Sequence, residues 1–169
     1  MADPAQPIYL VDATADPVQV RIEGRACFQN CACLRDFFTE MRRRGKCRFV
    51  LDFQHCPNMD STFLGVLAGA ALDLRKLQPP GSMVLAGVGP RNLELFRNLG
   101  LHRLLVIEAG DSKCDLDHGA TPLACPERTE LENARLALEA HENLVTVDEA
   151  NRSKFQDVLS FLKNRVDQG

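Results

Sequence analysis

The stretch RFVLDFQHCPNMDSTFLGVLAGA, residues 48–70, contains a strand, a short loop and the start of a helix. Its first part is mostly apolar, which is typical of a strand inside a sheet. From Phe63 onward small and apolar side chains predominate, which favours a helix packed against that sheet. An acid and two hydroxyls, Asp60, Ser61 and Thr62, lie where the loop becomes the helix. We call residues 60–62 the corner.

The corner has two interpretations when it is taken by itself. Ser61 and Thr62 fall in the first helical turn, where backbone N–H groups lack helical partners and the helix dipole is positive. An anionic phosphate is stabilised at such a position. Asp, Ser and Thr also cap helices where nothing else happens. Asp52, at the end of the preceding strand, is expected to hydrogen-bond or cap the loop rather than to act in catalysis.

Strands and helices alternate on both sides of this stretch. Right-handed crossovers between them would produce an α/β fold, a mixed β-sheet with helices packed mainly on one face. The corner would then protrude at a strand-to-helix loop, where partners can reach it. The predicted strands span residues 8–11, 18–22, 48–53, 83–88 and 104–107, and the predicted helices span residues 30–44 and 61–77 and begin again at Pro90.

These residues resemble a known family. Between residues 49 and 107 the chain is similar to STAS domains (sulfate transporter and anti-sigma factor antagonist), and particularly to bacterial anti-sigma factor antagonists. In that family a hydrophobic strand and a short loop lead to Asp-Ser-Ser-Gly-Leu-Gly-Val at the start of a helix, which DSTFLGV at residues 60–66 matches. A glycine turn and strand at residues 81–88, then a helix from Pro90 to residues 99–101, follow in the family's order. The resemblance implies a STAS-like fold over most of residues 8–109.

The resemblance also implies control by reversible phosphorylation. The family's usual phosphoacceptor serine aligns with Thr62, and Ser61 is the second choice. The implied partners are a serine/threonine kinase that also acts as an anti-sigma factor, and a metal-dependent protein phosphatase. Two residues depart from the motif, because Thr62 adds a methyl group and Phe63 places a ring where the family has glycine. The residues implied in partner binding are Asp52, Asp60, Ser61, Thr62, Phe63 and Leu64.

Composition narrows the class of protein. With 169 residues and 45% hydrophobic content, the chain suits one compact domain with an appended element. A net charge of −3 provides no basic surface for nucleic acid. No apolar run approaches the roughly 20 residues of a membrane span, and residues 1–4 do not begin a basic and then apolar leader. We therefore expect a cytoplasmic protein without nucleic-acid or membrane partners.

The residue inventory does not indicate an enzyme. The sequence contains no Walker A glycine loop, no His-Glu-x-x-His pair and no Gly-x-Ser-x-Gly elbow, so we expect neither catalysis nor a cofactor. Seven cysteines are present, but Cys27, Cys31 and Cys33 lack the paired Cys-x2-Cys spacing of a zinc site. Buried or idle thiols and no metal are predicted. Further potential ligands in a predicted loop are Cys114, Asp117, His118 and Cys125.

The C-terminal part is a separate element. Residues 1–109 form the predicted STAS-like domain, residues 110–126 a polar linker, and residues 127–169 a helical pair that we call the tail. The pair buries too little surface alone, so it is expected to pack on the main domain, on a second copy of the chain in a homo-oligomer, or on a partner. The predicted apolar stripes are Leu131, Ala134, Leu138 and His141 on the first helix, and Phe155, Val158, Leu159, Leu162 and Val166 on the second, which should run from about residue 148 to 166.

Two smaller predictions concern the tail. Thr129 and Glu132 have the spacing of a capping box, and His141 is expected at the surface or at an interface rather than in catalysis.

The leading hypothesis is an anti-sigma factor antagonist-like module in bacterial partner switching, controlled by phosphorylation at Thr62. The alternative is a STAS scaffold subunit that assembles without phosphorylation, using the tail to join a signalling or transport assembly.

Overall fold

The computed structural model describes residues 8–108, 116 and 120–169, within which one sheet, six α-helices and a short 3-10 helix are formed. The strands are β1 (Tyr9–Asp12), β2 (Val18–Ile22), β3 (Arg48–Asp52), β4 (Ser82–Ala86), β5 (Val106–Ile107) and β6 (Thr121–Pro122). The helices are α1 (Ala32–Arg43), α2 (Ser61–Arg75), α3 (Pro90–Asn98), α4 (Glu130–Val147), α5 (Asn151–Lys154) and α6 (Gln156–Gln168), and the 3-10 helix is Leu101–Arg103.

The order of strands explains where the helices lie. Across the sheet the order is β5-β4-β3-β2-β1-β6. β2 to β5 are parallel to one another, whereas β1 runs antiparallel to both β2 and β6. Each parallel step moves one strand in the same direction, so right-handed crossovers place α1, α2 and α3 on one face. The predicted α/β mixed sheet, with helices mainly on one face and a C-terminal helical extension, is confirmed.

Side chains alternate between the two faces of the sheet. In β2 the side chains of Val18, Val20 and Ile22 are buried in the core, whereas Gln19 and Arg21 between them are half-buried. This is the period of two that a strand imposes. The core therefore lies between the sheet and the helices, and the opposite face is partly exposed.

One strand was not predicted. β6 lies inside residues 110–126, which were expected to be a linker, and its Thr121 pairs with Val11 of β1. Two residues are too few to show an alternating pattern, so sequence periodicity could not reveal this strand. Part of the expected linker thus extends the sheet.

Helix α2 is apolar around its whole circumference and is covered on two sides. Every residue from Thr62 to Ala68 is buried. A helix that is apolar all round requires neighbours on more than one side. The sheet packs on one side and α4 packs on the other, where a side chain at Gly65 would overlap the Ala140 carbonyl group. Glycine at position 65 therefore lets the backbones of α2 and α4 come into direct contact.

The tail packs on the main domain, which is one of the three targets that the sequence left open. α4 contributes Leu136, Ala140 and Leu144 to the same hydrophobic core as the sheet. The predicted stripe on α4 is wrong except for His141, because apolar residues are spread around this helix and spacing did not identify the inner face. Leu131, Ala134 and Leu138 are only partly buried. The buried residues of α4 are Leu136, Ala137, Ala140, His141, Leu144 and Val145.

The second predicted helix of the tail is divided into α5 and α6. Leu159 and Leu162 are buried as predicted. Val158, which was assigned to the same stripe, is 41% exposed. Phe155 lies at the junction of the two helices and is partly buried. Val158 and Leu159 are adjacent in α6, so their side chains point about 100° apart and only one of them is buried. Val166, the last member of the stripe, is partly buried.

Polar groups fix the ends of the tail helices. Thr129 Oγ1 accepts a hydrogen bond from Glu132 N at 3.1 Å, and Glu132 Oε1 accepts one from Thr129 N at 3.2 Å, so the predicted capping box is confirmed. The Asn151 side-chain amide is buried and donates to the carbonyl oxygens of Leu99, at 3.0 Å, and Leu144, at 2.8 Å. These two bonds join α5 to α4 and to the end of α3.

No helix within the residues that the structure describes is both long and apolar enough to span a membrane.

The cysteines differ from the prediction at one pair. Cys33 in α1 and Cys125, just before α4, form a disulfide across 92 positions of sequence. Idle thiols were predicted because the spacing of residues along the chain does not show which of them folding brings together. Burial raises the pKa of Cys31 to about 12 and that of Cys56 to about 11, so both remain protonated thiols at neutral pH. The free cysteines among the described residues are Cys27, Cys31, Cys47 and Cys56.

The contact at Gly65 predicts unequal effects of two matched substitutions. Gly65→Ala should lower the free energy of unfolding by about 1–3 kcal/mol, because the new methyl group meets the rigid backbone of Ala140. Gly69→Ala gains the same helix propensity, and its methyl group meets only the flexible end of the Asn143 side chain, so its effect should stay within about 1 kcal/mol. Urea denaturation of both variants checks the difference, and equal effects would contradict a close backbone contact.

The disulfide predicts a redox-dependent stability. Cys125→Ser should lower the free energy of unfolding of the oxidised protein by about 2–4 kcal/mol, because the bond closes a long loop in the unfolded chain. Adding a reductant to the wild type should produce the same loss, and the reductant should leave Cys125→Ser unchanged. Cys47→Ser removes a free thiol and serves as the control, with little expected effect. Denaturation curves that coincide with and without reductant would show that the bond contributes nothing.

Candidate functional site

Asp52 orders the loop that leads from β3 to the corner. Its Oδ1 accepts a hydrogen bond from Gln54 N at 2.9 Å, and its Oδ2 lies 3.3 Å from Arg21 Nε. The side chain is 1% exposed. The expected hydrogen-bonding role is therefore observed. Asp52 supports the site from beneath the surface in this conformation.

Asp60 caps α2 and fixes the corner to a neighbouring loop. Its Oδ1 accepts a hydrogen bond from Phe63 N at 2.9 Å, which satisfies one of the N–H groups at the helix start. Its Oδ2 accepts from Phe28 N at 2.8 Å, and its own backbone N–H donates to the Ala26 carbonyl at 3.1 Å. The capping interpretation is thus correct for Asp60. Both carboxylate oxygens are engaged, so the corner has a defined position before any partner arrives.

The structure buries Thr62 and the two residues that follow the corner, whereas Asp60 and Ser61 are partly exposed. Thr62 is 5% exposed and Leu64 is 2% exposed. Phe63 is fully buried, with its ring edge-on to Phe53 at a centroid distance of 6.2 Å. The corner lies at a strand-to-helix loop as expected, but it protrudes less than expected because α2 is apolar all round and is sandwiched between the sheet and α4. The Phe63 ring fills the core, so it does not occupy the space outside the corner.

Ser61 is partly exposed and is hydrogen-bonded to the tail. Its Oγ lies 2.8 Å from His141 Nε2, and His141 Nδ1 lies 2.6 Å from the Ala137 carbonyl oxygen. A carbonyl oxygen can only accept, so in the neutral ring Nδ1 carries the proton and Nε2 accepts from the Ser61 hydroxyl. His141 is 3% exposed, and its ring lies edge-on to Phe155 at 5.0 Å. His141, which was expected at the surface or at an interface, is therefore buried where α4 meets the start of α2.

An apolar crevice opens beside Ser61. Its volume is about 540 Å³, and it lies between the start of α2, the end of α3 and the junction of α5 with α6. Lys154 lines it and donates from Nζ to the Asn98 carbonyl at 2.6 Å. The apolar side chains that line it are Met59, Leu64, Leu95, Leu99 and Phe155. The crevice provides a place where an apolar side chain of a partner could insert next to the Ser61 hydroxyl.

A second cleft, of about 490 Å³, lies between α1, α2 and α4 and contains none of the corner residues. Ion pairs cross its rim, from Arg42 to Asp73 at 2.7 Å and from Arg35 to Glu139 at 2.7 Å. The second pair joins α1 to the tail. Exposed pairs of this kind contribute at most about 1 kcal/mol each. This cleft is therefore a seam between helices that helps to orient α4.

Sequence reasoning identified most residues of the corner but not their partners. Phe28 and Arg21 were not predicted to hold the corner, because neither has a recognisable motif and both act from distant segments. His141 was singled out in the tail, but nothing in the sequence related it to Ser61, which lies 80 positions away. Among the described residues no set of three His, Cys, Asp or Glu side chains is arranged to hold a metal ion. Cys114, Asp117 and His118, named from the sequence as potential ligands, lie outside the described residues.

Comparison with known proteins finds one family and a group of solved structures. The model of a family described as "Mlab, STAS domain" matches residues 9–107, more than half of the chain. The chain is similar to the anti-sigma factor antagonist SpoIIAA in its unphosphorylated form, with 17% identity and a TM-score of 0.49, over 60% of this chain and 88% of that one. It is also similar to the Bacillus cell fate determinant SpoIIAA in the phosphorylated form, with 18% identity and a TM-score of 0.47, over 60% of this chain and 91% of that one. No curated protein matches the sequence significantly.

The two hydrogen bonds of Asp60 predict graded losses of stability. Asp60→Ala should lower the free energy of unfolding by about 2–3 kcal/mol, because the N–H groups of Phe63 and Phe28 both lose their acceptor. Asp60→Asn keeps one acceptor oxygen for Phe63, so its loss should be about half as large. Urea denaturation of the two variants measures both losses. Equal losses would mean that one of the two hydrogen bonds has no energetic role.

Proposed function

The chain belongs to the STAS domain family, and we propose that it is a regulatory binding module of the anti-sigma factor antagonist type in bacterial partner switching. In this proposal the unmodified chain binds a serine/threonine kinase that also acts as an anti-sigma factor. Phosphorylation at the corner breaks that complex, and a metal-dependent protein phosphatase restores it. The module acts by binding and contributes no catalysis or cofactor of its own.

The observation that carries this proposal is the position of the hydroxyls at the start of α2. A phosphoryl group there adds roughly −1.5 to −2 charges and three strong acceptors. The free protein tolerates it, since a negative charge at a helix N-terminus is stabilising by about 0.3–1 kcal/mol. Against a partner that offers no matching cations, burial of the same charge costs several kcal/mol, or more than about a hundredfold in affinity. Binding is switched while the fold is preserved.

The burial of each hydroxyl bears on which of them is modified. The family resemblance points to Thr62 first, but Thr62 is 5% exposed, so a kinase could reach it only after the corner is uncovered. Ser61, the second choice, is partly exposed and borders the apolar crevice. Asp60 is also partly exposed, and we assign direct partner contact first to Asp60 and Ser61. Asp52, Thr62, Phe63 and Leu64 would then shape the corner from beneath.

The cytoplasm is part of the same proposal, because the implied kinase and phosphatase act there. Disulfides are uncommon in that reducing compartment. Whether Cys33 and Cys125 are bonded in the cell therefore indicates which compartment holds the protein. A chain that carries this bond throughout its lifetime would favour an oxidising location and weaken the partner-switching role.

A second candidate function is a STAS scaffold subunit that assembles without phosphorylation. The observation that favours it is the tail, whose His141 bonds Ser61 and whose α4 covers α2. A corner that is permanently covered by its own chain would not be a switch. In that case the exposed parts of the tail would join the chain to a signalling or transport assembly.

Mass measurements on the natural protein separate the two functions. Protein isolated from its own cells under several growth conditions should carry a single phosphoryl group that fragment masses place on Thr62 or Ser61, in an amount that changes with conditions. The same spectra, recorded without reductant, report the disulfide. A corner without phosphate in every condition would overturn the switch and favour the scaffold.

Binding to the kinase provides an independent test of the same proposal. Tagged wild type and Thr62→Ala should capture a serine/threonine kinase from the same cells, whereas Thr62→Asp should bind it more than about a hundredfold more weakly because of its added charge. Ser61→Ala and Ser61→Asp form the matching pair for the second hydroxyl. Ser160→Asp, at an exposed position of α6, controls for charge alone. If neither aspartate variant at the corner differs from its alanine partner, the switch is absent.

A further inference from the structure

Partner switching requires that a kinase and a phosphatase reach the corner, and the tail holds the corner's one partly exposed hydroxyl, that of Ser61. We propose that the tail is an intramolecular gate over the corner, that the hydrogen bond between Ser61 and His141 is its latch, and that a phosphoryl group on Ser61 opens it. This inference rests on the proposed function for the source of the phosphoryl group. The latch itself rests only on the geometry of this chain.

The latch needs the hydroxyl proton of Ser61. His141 Nδ1 is committed to the Ala137 carbonyl at 2.6 Å, so Nε2 of the neutral ring must accept, and the Ser61 hydroxyl is its donor at 2.8 Å. In phosphorylation the serine oxygen takes the γ-phosphoryl group of ATP, the bond from that phosphorus to ADP breaks, and the hydroxyl proton is released. The ester oxygen then has no proton to donate. The imidazole is left as an acceptor without a donor in a site that is 3% exposed.

Space and charge act in the same direction. The 2.8 Å between Ser61 Oγ and His141 Nε2 leaves no room for a phosphorus atom and its oxygens between them. The neighbouring carboxylate of Asp60 adds a like charge, although its oxygens are held by the N–H groups of Phe63 and Phe28. Lys154 is a cation that lines the same crevice, but its ammonium group donates to the Asn98 carbonyl and is not paired with the corner. The docked tail is therefore destabilised, whereas in the open form the phosphate faces water at the helix N-terminus, where it is stabilised.

The gate gives each partner a defined relation to the tail. α4 and the kinase both need an unmodified Ser61, so they compete for the corner, and the tail lowers the apparent affinity of the kinase. Once Ser61 is phosphorylated, the tail undocks more often and the phosphate becomes accessible to the phosphatase in the open form. Ser61 is thereby the hydroxyl whose modification moves the tail. Thr62 is buried next to it, so a modification there would first require that the corner be uncovered.

Hydrogen exchange on the full chain tests the gate. Phosphoserine would be incorporated at position 61 during translation, and deuterium uptake would be followed by mass spectrometry in peptides from α4 and from β3 and β4. Phosphoserine at 61 should raise the exchange rate across residues 130–147 by about tenfold or more, because it adds bulk and charge against the docked His141 as well as removing the donor of the latch. The strands should keep their protection.

Three controls make the result specific. Phosphoserine at position 160, which is exposed on α6, should leave exchange in α4 within about threefold of the wild type, since the same charge is added away from the latch. Ser61→Ala removes the hydroxyl without adding charge or bulk, and it should change exchange in α4 less than phosphoserine at 61 does. His141→Gln retains an acceptor for the Ser61 hydroxyl, so phosphoserine at 61 should raise exchange in α4 of this variant as well.

The outcomes separate the gate from the proposed function. Unchanged or slower exchange in α4 with phosphoserine at 61 would overturn the gate, because it would mean that a protonated His141 holds the phosphate. Loss of protection in β3 and β4 as well would show general unfolding and would also overturn it. An open gate in a protein that is never phosphorylated in its cells would refute the partner switch and leave the latch intact. If phosphorylation controls kinase binding while α4 stays protected from exchange, the partner switch stands and the gate is refuted.

Discussion

The contact between α2 and α4 at Gly65 is the constraint on which the remaining structure depends. α2 is buried from Thr62 to Ala68, so a sheet on one side does not cover it, and a further element must pack on its other side. Because position 65 carries no side chain, α4 approaches until the Ala140 carbonyl occupies that space. Once α4 is seated there, His141, the residue after Ala140, meets the hydroxyl of Ser61, which lies about one turn before Gly65 in α2. The third layer and the covering of the corner therefore have a single cause, which is the apolar circumference of α2.

The sequence left two interpretations of the corner, a helix cap and a site of regulatory phosphorylation. The atoms that form the cap are not those of the Ser61 hydroxyl, so the two interpretations do not exclude each other. Asp60 performs the capping with both carboxylate oxygens, which accept from Phe63 and Phe28. The Ser61 hydroxyl is not used by the cap and is directed to His141 instead. A helix start that is already capped keeps its position when charge is added nearby, because the N–H groups stay satisfied. The rigidity that Asp60 supplies is thus a requirement for a switch at Ser61 rather than evidence against one.

The sequence was sufficient for features that depend on near neighbours and insufficient for those that join distant ones. Alternation in Val18–Ile22 and the capping box of Thr129 and Glu132 involve a few consecutive residues, and both were predicted correctly. The start of α2 at Ser61 was also predicted, because a cap and an apolar run adjoin there. The Cys33–Cys125 disulfide and the bond from Ser61 to His141 span 92 and 80 positions, and no local pattern encodes such pairs. The inner face of α4 failed for another reason, since apolar residues surround that helix and only its contact with α2 selects one side.

The two departures from the family motif acquire a physical meaning in this packing. Phe63, where the family has glycine, turns its ring inward onto Phe53 and enlarges the core beneath the corner. Thr62 is buried beside it, and its extra methyl group suits an apolar surrounding better than a serine would. Both side chains thus add to the buried contacts of the first turn of α2. Ser61 remains the hydroxyl that solvent and a partner can reach, and the same residue contacts the tail. Under the proposed function, Ser61 is therefore the corner hydroxyl from which a modification would act on both the partner and the tail.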